Sequence, residues 1–127
     1  MRTVSILCIA GLLAACTIPV TNNPSPDASQ LVGTWQVDLR PTPNAPGYYQ
    51  EFVVTSADGK TFQGTFYGSP ISQARINVDW SSLRIAFVTA DQSGPYNHSA
   101  VLTGGKLEGL TNSTGRDFLS YWSATKR

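Results

Sequence analysis

Over most of the chain, apolar and polar residues alternate one by one. Leu31, Gly33, Trp35, Val37 and Leu39 fall on one side of a two-residue repeat, with Thr34, Gln36 and Asp38 on the other. Successive side chains of an extended strand point to opposite faces, so this repeat predicts a half-buried strand over 31–39. The same repeat predicts strands over 48–56 (Phe52 and Val54 inward), 61–67 (Phe62, Gly64, Phe66) and 71–79 (Ala74, Ile76, Val78, continuing to Trp80). It returns over 83–90 (Leu83, Ile85, Phe87) and 96–103 (Tyr96, His98, Ala100, Leu102). A shorter, weaker strand is expected over 107–113, and a last one over 118–125 with Phe118, Ser120, Trp122 and Ala124 in line. No segment of this region repeats at the 3.6 residues of an amphipathic helix.

The connections are short and rich in turn formers. Residues 40–47 hold three prolines, and Ala57-Asp58-Gly59-Lys60 supplies the Asp-Gly pair of a tight hairpin. Gly68-Ser69-Pro70, Asp91-Gln92-Ser93-Gly94-Pro95 and Gly104-Gly105 are turns by composition. Eight such strands in under 100 residues predict an all-β fold, an eight-stranded antiparallel up-and-down barrel over 31–127. Closure into a barrel removes the exposed edges of an open sheet. A small β-sandwich shows the same alternation, but sandwiches use longer crossovers, and the short connections here favour the barrel.

The start of the chain follows another rule. After Arg2, residues 4–15 form an uncharged run of twelve mostly apolar residues. As a helix it would be roughly 18 Å long, too short for a hydrocarbon core of about 30 Å. A basic start, a short apolar stretch and then small residues make the layout of a signal peptide over 1–15. Leu13-Ala14-Ala15-Cys16 resembles the lipobox of bacterial lipoproteins. That resemblance implies cleavage before Cys16, a diacylglycerol on its thiol and an acyl chain such as palmitate on the new amino terminus. It further implies a lipid-anchored protein of the cell envelope. With Thr17 rather than Asp after the cysteine, the family pattern points to an outer membrane in a Gram-negative cell, and to the cell surface otherwise. Residues 16–30 then form the lipidated cysteine and a flexible, Pro-rich tether.

Composition narrows the function. Nine Lys and Arg oppose eight Asp and Glu, scattered singly, which leaves no electrostatic footprint for nucleic acid. Of the two cysteines, Cys8 lies in the leader and Cys16 would carry lipid, so no disulfide is expected. One histidine and dispersed carboxylates make no metal cluster, and no Gly-x-Ser-x-Gly elbow or nucleophile–base pairing suggests catalysis. No enzyme activity and no cofactor are expected. The chemistry that remains is a barrel lining. Tyr48, Gln50, Trp80, Tyr96, His98, Thr111, Ser120 and Trp122 are the candidate ligand-binding residues, polar groups among aromatic walls.

Gly33-Thr34-Trp35, Asp58-Gly59-Lys60, the run Phe62-Gln63-Gly64-Thr65-Phe66-Tyr67-Gly68 and the final Trp122-Ser123-Ala124-Thr125-Lys126-Arg127 resemble the calycins, the lipocalin and avidin-like barrels. The resemblance implies that Trp35 plugs one barrel end beneath a cation, Arg127 or Lys126, and that the barrel holds a small, apolar ligand. Avidin-like barrels place Asn and Ser soon after that Trp; Gln36, Val37, Asp38 and Leu39 stand here, so biotin is not implied. Ser93-Gly94-Pro95-Tyr96 is similar to the Ser-Gly-x-x-Tyr loop of envelope lysozyme inhibitors, with the tyrosine one position early. The alternative expectation is therefore a filled, non-enzymatic barrel that engages or inhibits an envelope protein through loops 40–47 and 91–95.

Overall fold

Strands form where the alternation places them. In the computed structural model, which describes residue 11 and residues 26–127, nine strands follow a 3-10 turn at Ala28–Leu31. They are β1 (Gly33–Asp38), β2 (Tyr49–Ala57), β3 (Phe62–Phe66), β4 (Ser69–Pro70), β5 (Ser72–Asn77), β6 (Arg84–Asp91), β7 (Gly94–Thr103), β8 (Lys106–Ser113) and β9 (Phe118–Lys126). The signal peptide, Cys16 and most of the tether lie outside the described residues. No helix among the described residues is long and apolar enough to cross a membrane.

All nine strands belong to one antiparallel sheet in the order β4-β3-β2-β1-β9-β8-β7-β6-β5. Every sequential pair joins by a hairpin except β4–β5, and β1 lies against β9 with Trp35 opposite Lys126 and Val37 opposite Ala124. The sheet curls until its ends nearly meet. Across the seam the Ile76 amide donates to the Lys60 carbonyl at 2.9 Å, and the Thr61 hydroxyl donates to the Ala74 carbonyl at 3.0 Å. The result is a nearly closed up-and-down barrel.

The strand count is nine rather than the expected eight because Ser69 and Pro70 are not only a turn. Tyr67 and Gly68 take φ of 55° and 75°, two consecutive left-handed residues, which is the geometry of a two-residue type I′ hairpin. That hairpin folds Ser69 and Pro70 back onto Phe66 and Thr65 as a short strand.

Inward residues pack the barrel from one end. Phe52, fully buried, stacks on Phe87 at 5.2 Å between centroids and meets Phe62, Phe66 and Trp122 edge-on. Gly109 gives the Trp122 indole its room: a Cβ there would stand 2.3 Å from Cε2 of that ring. The 3-10 turn seals the same end. Leu31 is wholly buried, and the Trp35 indole Nε1 donates to the Leu31 carbonyl at 2.9 Å. Trp80 departs from the expected inward face. The Asp79 amide bonds the Asn77 side chain at 3.0 Å, a local turn that ends the two-residue repeat and leaves Trp80 70% exposed.

Candidate functional site

At the end opposite the 3-10 turn the barrel is hollow. The up-and-down topology brings the ends of β1, β3, β6 and β8 to the same rim as the starts of β2, β7 and β9. There the side chains enclose a cavity of about 710 Å³, inside the ~300–1,000 Å³ range typical of small-molecule sites. Its buried walls are Phe66, Thr89, His98 and Thr111; its rim carries exposed aromatic and apolar residues, including Tyr48, Tyr67, Leu119 and Tyr121.

His98 sits at the centre of the buried part. It projects inward from β7 between β6 and β8, and its two ring nitrogens face two threonines. Nε2 lies 2.8 Å from Thr89 Oγ1 and Nδ1 lies 2.7 Å from Thr111 Oγ1. The Phe66 ring is 4.5 Å from the imidazole and the Phe87 ring 4.6 Å, the latter stacked. Burial among these groups pushes the His98 pKa down to about 4, so the ring is neutral near pH 7.

The rim is polar where strands meet loops. The Tyr96 hydroxyl donates to Asp91 at 2.8 Å, and this bond leads the effects that hold the Asp91 carboxyl below its usual range. Arg116 caps the face of Phe118 with its guanidinium carbon 5.3 Å from the ring centre. Tyr48 and Tyr67, flanking the rim ends of the neighbouring strands β2 and β3, hydrogen-bond hydroxyl to hydroxyl, which raises the pKa of Tyr67. Asp91 and Arg116 are the charged groups on the lining. Among the described residues, no three His, Cys, Asp or Glu side chains stand together as a metal site.

No family model, curated protein or solved structure matches the chain. The reading of this site therefore rests on its own geometry.

Five of the eight expected binding residues line this one cavity: Tyr48, Tyr96, His98, Thr111 and Ser120. Gln50, on the inward side of β2 and half-buried, is not part of the lining. Trp122 is fully buried below it against Phe52 and Phe66, and Trp80 stands exposed on the β5–β6 connection. Thr89 also belongs to the site, beyond the residues expected from the sequence. Its signal was present, since it continues the Ile85, Phe87 alternation of β6 toward the open end.

At the closed end, the structure places Lys126 rather than Arg127 against Trp35. The cation over Trp35 is Lys126, its ammonium 5.2 Å from the ring centre and donating to the Gln30 carbonyl at 2.6 Å. Arg127 turns outward and pairs with Glu51 at 2.8 Å. Lys126 shares the two-residue phase of Trp122 and Ala124, whereas Arg127 falls on the other face. Gly33, at φ 139°, lies under the Lys126 stem; a Cβ there would meet two of its carbons at 3.4 Å. That separation is ordinary van der Waals contact, so it is the positive φ at this position, rather than space for the lysine, that calls for glycine.

Proposed function

We propose that this protein is a lipid-anchored, non-enzymatic protein of the cell envelope whose barrel binds a small, mainly apolar molecule. The observation that carries the binding reading is the cavity, open at one end and walled by Phe66, Thr89, His98 and Thr111. Apolar walls with a few converging polar groups give a ligand both burial and orientation. Native mass spectrometry of the full chain purified from its host tests this. A bound small mass is expected, and Ser120→Trp, which fills the cavity, should abolish it. A ligand retained by Ser120→Trp would place binding elsewhere.

The anchor is supported by Leu13-Ala14-Ala15-Cys16 and the short apolar run before it. Metabolic labelling with palmitate should mark the wild type and not Cys16→Ala, which should also leave the membrane fraction. Labelling that persisted in Cys16→Ala would remove the lipoprotein reading.

A second reading, an interaction or inhibitor module, is favoured by the exposed rim alone. Tyr48, Tyr67, Leu119 and Tyr121 are each 45–67% exposed around the mouth. Aromatic residues in such positions are common anchors of protein interfaces. A ligand-free mass, together with a defined envelope protein whose binding is lost in Tyr48→Ala/Tyr121→Ala, would favour this reading over the first.

A further inference from the structure

The row Thr89–His98–Thr111 runs across three neighbouring strands on the buried side of the cavity, and its hydrogens can be counted. A neutral imidazole has one N–H and one nitrogen lone pair. Both nitrogens are engaged by threonine oxygens, at 2.8 and 2.7 Å. One threonine must therefore donate to the ring, and the other must accept from it. The accepting threonine keeps its own O–H, and the donating one keeps a lone pair. Neither hydroxyl has another protein partner among the described residues, and both residues border the cavity. Moving the ring proton from one nitrogen to the other exchanges the two roles. The row can thus offer the cavity one donor and one acceptor, in either order.

The charge around this row is as informative as its hydrogens. Phe66 and Phe87 flank the imidazole, and the charged lining groups, Asp91 and Arg116, stand at the mouth. An ammonium brought to the row would lose its water and find no opposite charge there, and a carboxylate would find one only by protonating an imidazole whose burial disfavours that form, so both are disfavoured. A hydroxyl or carbonyl would lose far less and would gain a partner. Phe66, Leu39 and Phe118 supply apolar lining for the rest of the molecule.

We propose that the cavity selects a neutral, mainly apolar molecule bearing one hydroxyl or carbonyl group, which docks on Thr89, His98 and Thr111 while its apolar body lies against Phe66. This rests on the cavity-binding reading, and the test separates the two. The full chain is loaded with the neutral fluorophore 1-aminoanthracene, which is then displaced by naphthalene, 2-naphthol or 2-naphthoate at pH 7. The expected order is 2-naphthol first, by about tenfold over naphthalene, the increment of one well-made hydrogen bond. In Thr89→Val and Thr111→Val that advantage should shrink to about twofold or less, with naphthalene unchanged, since valine keeps the shape and removes the hydroxyl.

A second readout needs no variant. The nitrogen-15 resonances of His98 should shift toward a changed tautomer ratio with 2-naphthol or 2-acetonaphthone and stay fixed with naphthalene. Equal affinities for all three compounds, or 2-naphthoate binding best, would overturn the neutral-head proposal while leaving a binding cavity. Failure of every compound, 1-aminoanthracene included, would overturn the cavity reading and this proposal with it.

Discussion

At the scale of single residues, two buried tryptophans of equal size do different work. Trp35 donates its indole N–H to Leu31 and lies beneath Lys126, whereas the Trp122 N–H is buried with no partner among the described residues. A buried unsatisfied donor costs about 1–3 kcal/mol, and leaving its former acceptor unpaired costs a similar amount. Trp35→Phe and Trp122→Phe create comparable voids, but only the first strands a carbonyl. Urea denaturation should find Trp35→Phe the more destabilised, by roughly 1–2 kcal/mol. Equal losses would mean that Leu31 and Lys126 contribute nothing measurable to the closed end. His98 makes a second residue-scale prediction. Its pKa is about 4 in the fold, against 6.5 for an ordinary histidine. The unfolded chain therefore binds a proton across that interval and the folded one does not, so stability falls as pH drops from about 6.5 to about 4 and this loss then levels off. The groups packed on the ring, Thr89, Thr111, Phe66 and Phe87, carry no charge. With one histidine in the chain, the loss down to about pH 5, above the range where the depressed carboxylates Asp38, Asp58 and Asp91 begin to protonate, is assignable to His98, up to roughly 2 kcal/mol. Urea midpoints measured at pH 4.5 to 7 should show this slope in the wild type and a shallower one in His98→Gln. A flat profile from pH 7 to 5 would contradict the depressed pKa.

At the scale of elements, the barrel is not equally strong all the way round. β6, β7, β8 and β9 share long, unbroken ladders, but β5 pairs with β6 on one side and meets β3 through few bonds on the other. The seam is therefore the place where the wall opens first. Hydrogen exchange should find the Ile76 amide less protected than the amides of β1 and β9, and Thr61→Val should lower its protection further. Protection of Ile76 equal to that of β8 would argue for a fully closed ring. The elements also differ in how readable they were. Where large apolar residues mark the inner phase, as in β1 and β6, alternation alone located the strand and its buried face. β8 is weakly marked in the sequence because its inward residues after Leu107 are Gly109, Thr111 and Ser113, while apolar Leu110 points outward. Those small residues are required by neighbours the local sequence does not reveal: Trp122 occupies the space over Gly109, and His98 needs the Thr111 hydroxyl. The same limit applies to the site. Phase along each strand identified inward residues, but height along the barrel decides between core and cavity, and that depends on the register between strands. Alternation places both Trp122 and His98 inward; pairing puts Trp122 opposite Gly109 in the packed half and His98 opposite Thr111 in the hollow half.

At the scale of the whole molecule, the described chain begins at the closed end. Pro26 and Gln30 border a shallow recess there with Trp35, Ser81 and Lys126, while the cavity mouth lies at the other end of the barrel. If Cys16 is lipidated as proposed, the membrane is tied to the end that is sealed. Residues 16–25 could span at most about 35 Å fully extended. A barrel wall of nine-residue strands such as β9 is roughly 25 Å tall once tilted. Bringing the mouth to the headgroups would require the tether to run back along the whole wall, stretched to about seven tenths of its full reach, at a cost in chain entropy. The mouth should thus face the aqueous phase, and its ligand should arrive from solution rather than by lateral transfer out of the bilayer. The proposed lipidation also leaves the mature chain without a free thiol, so single spin labels can be placed cleanly. Nitroxides at Leu119→Cys on the rim and at Ser81→Cys by the recess, each on the lipidated protein in vesicles, report the two ends. A paramagnetic lanthanide on the lipid headgroups should relax the Ser81 label strongly and the Leu119 label weakly. The reverse order would turn the mouth toward the membrane and make the bilayer the source of the ligand.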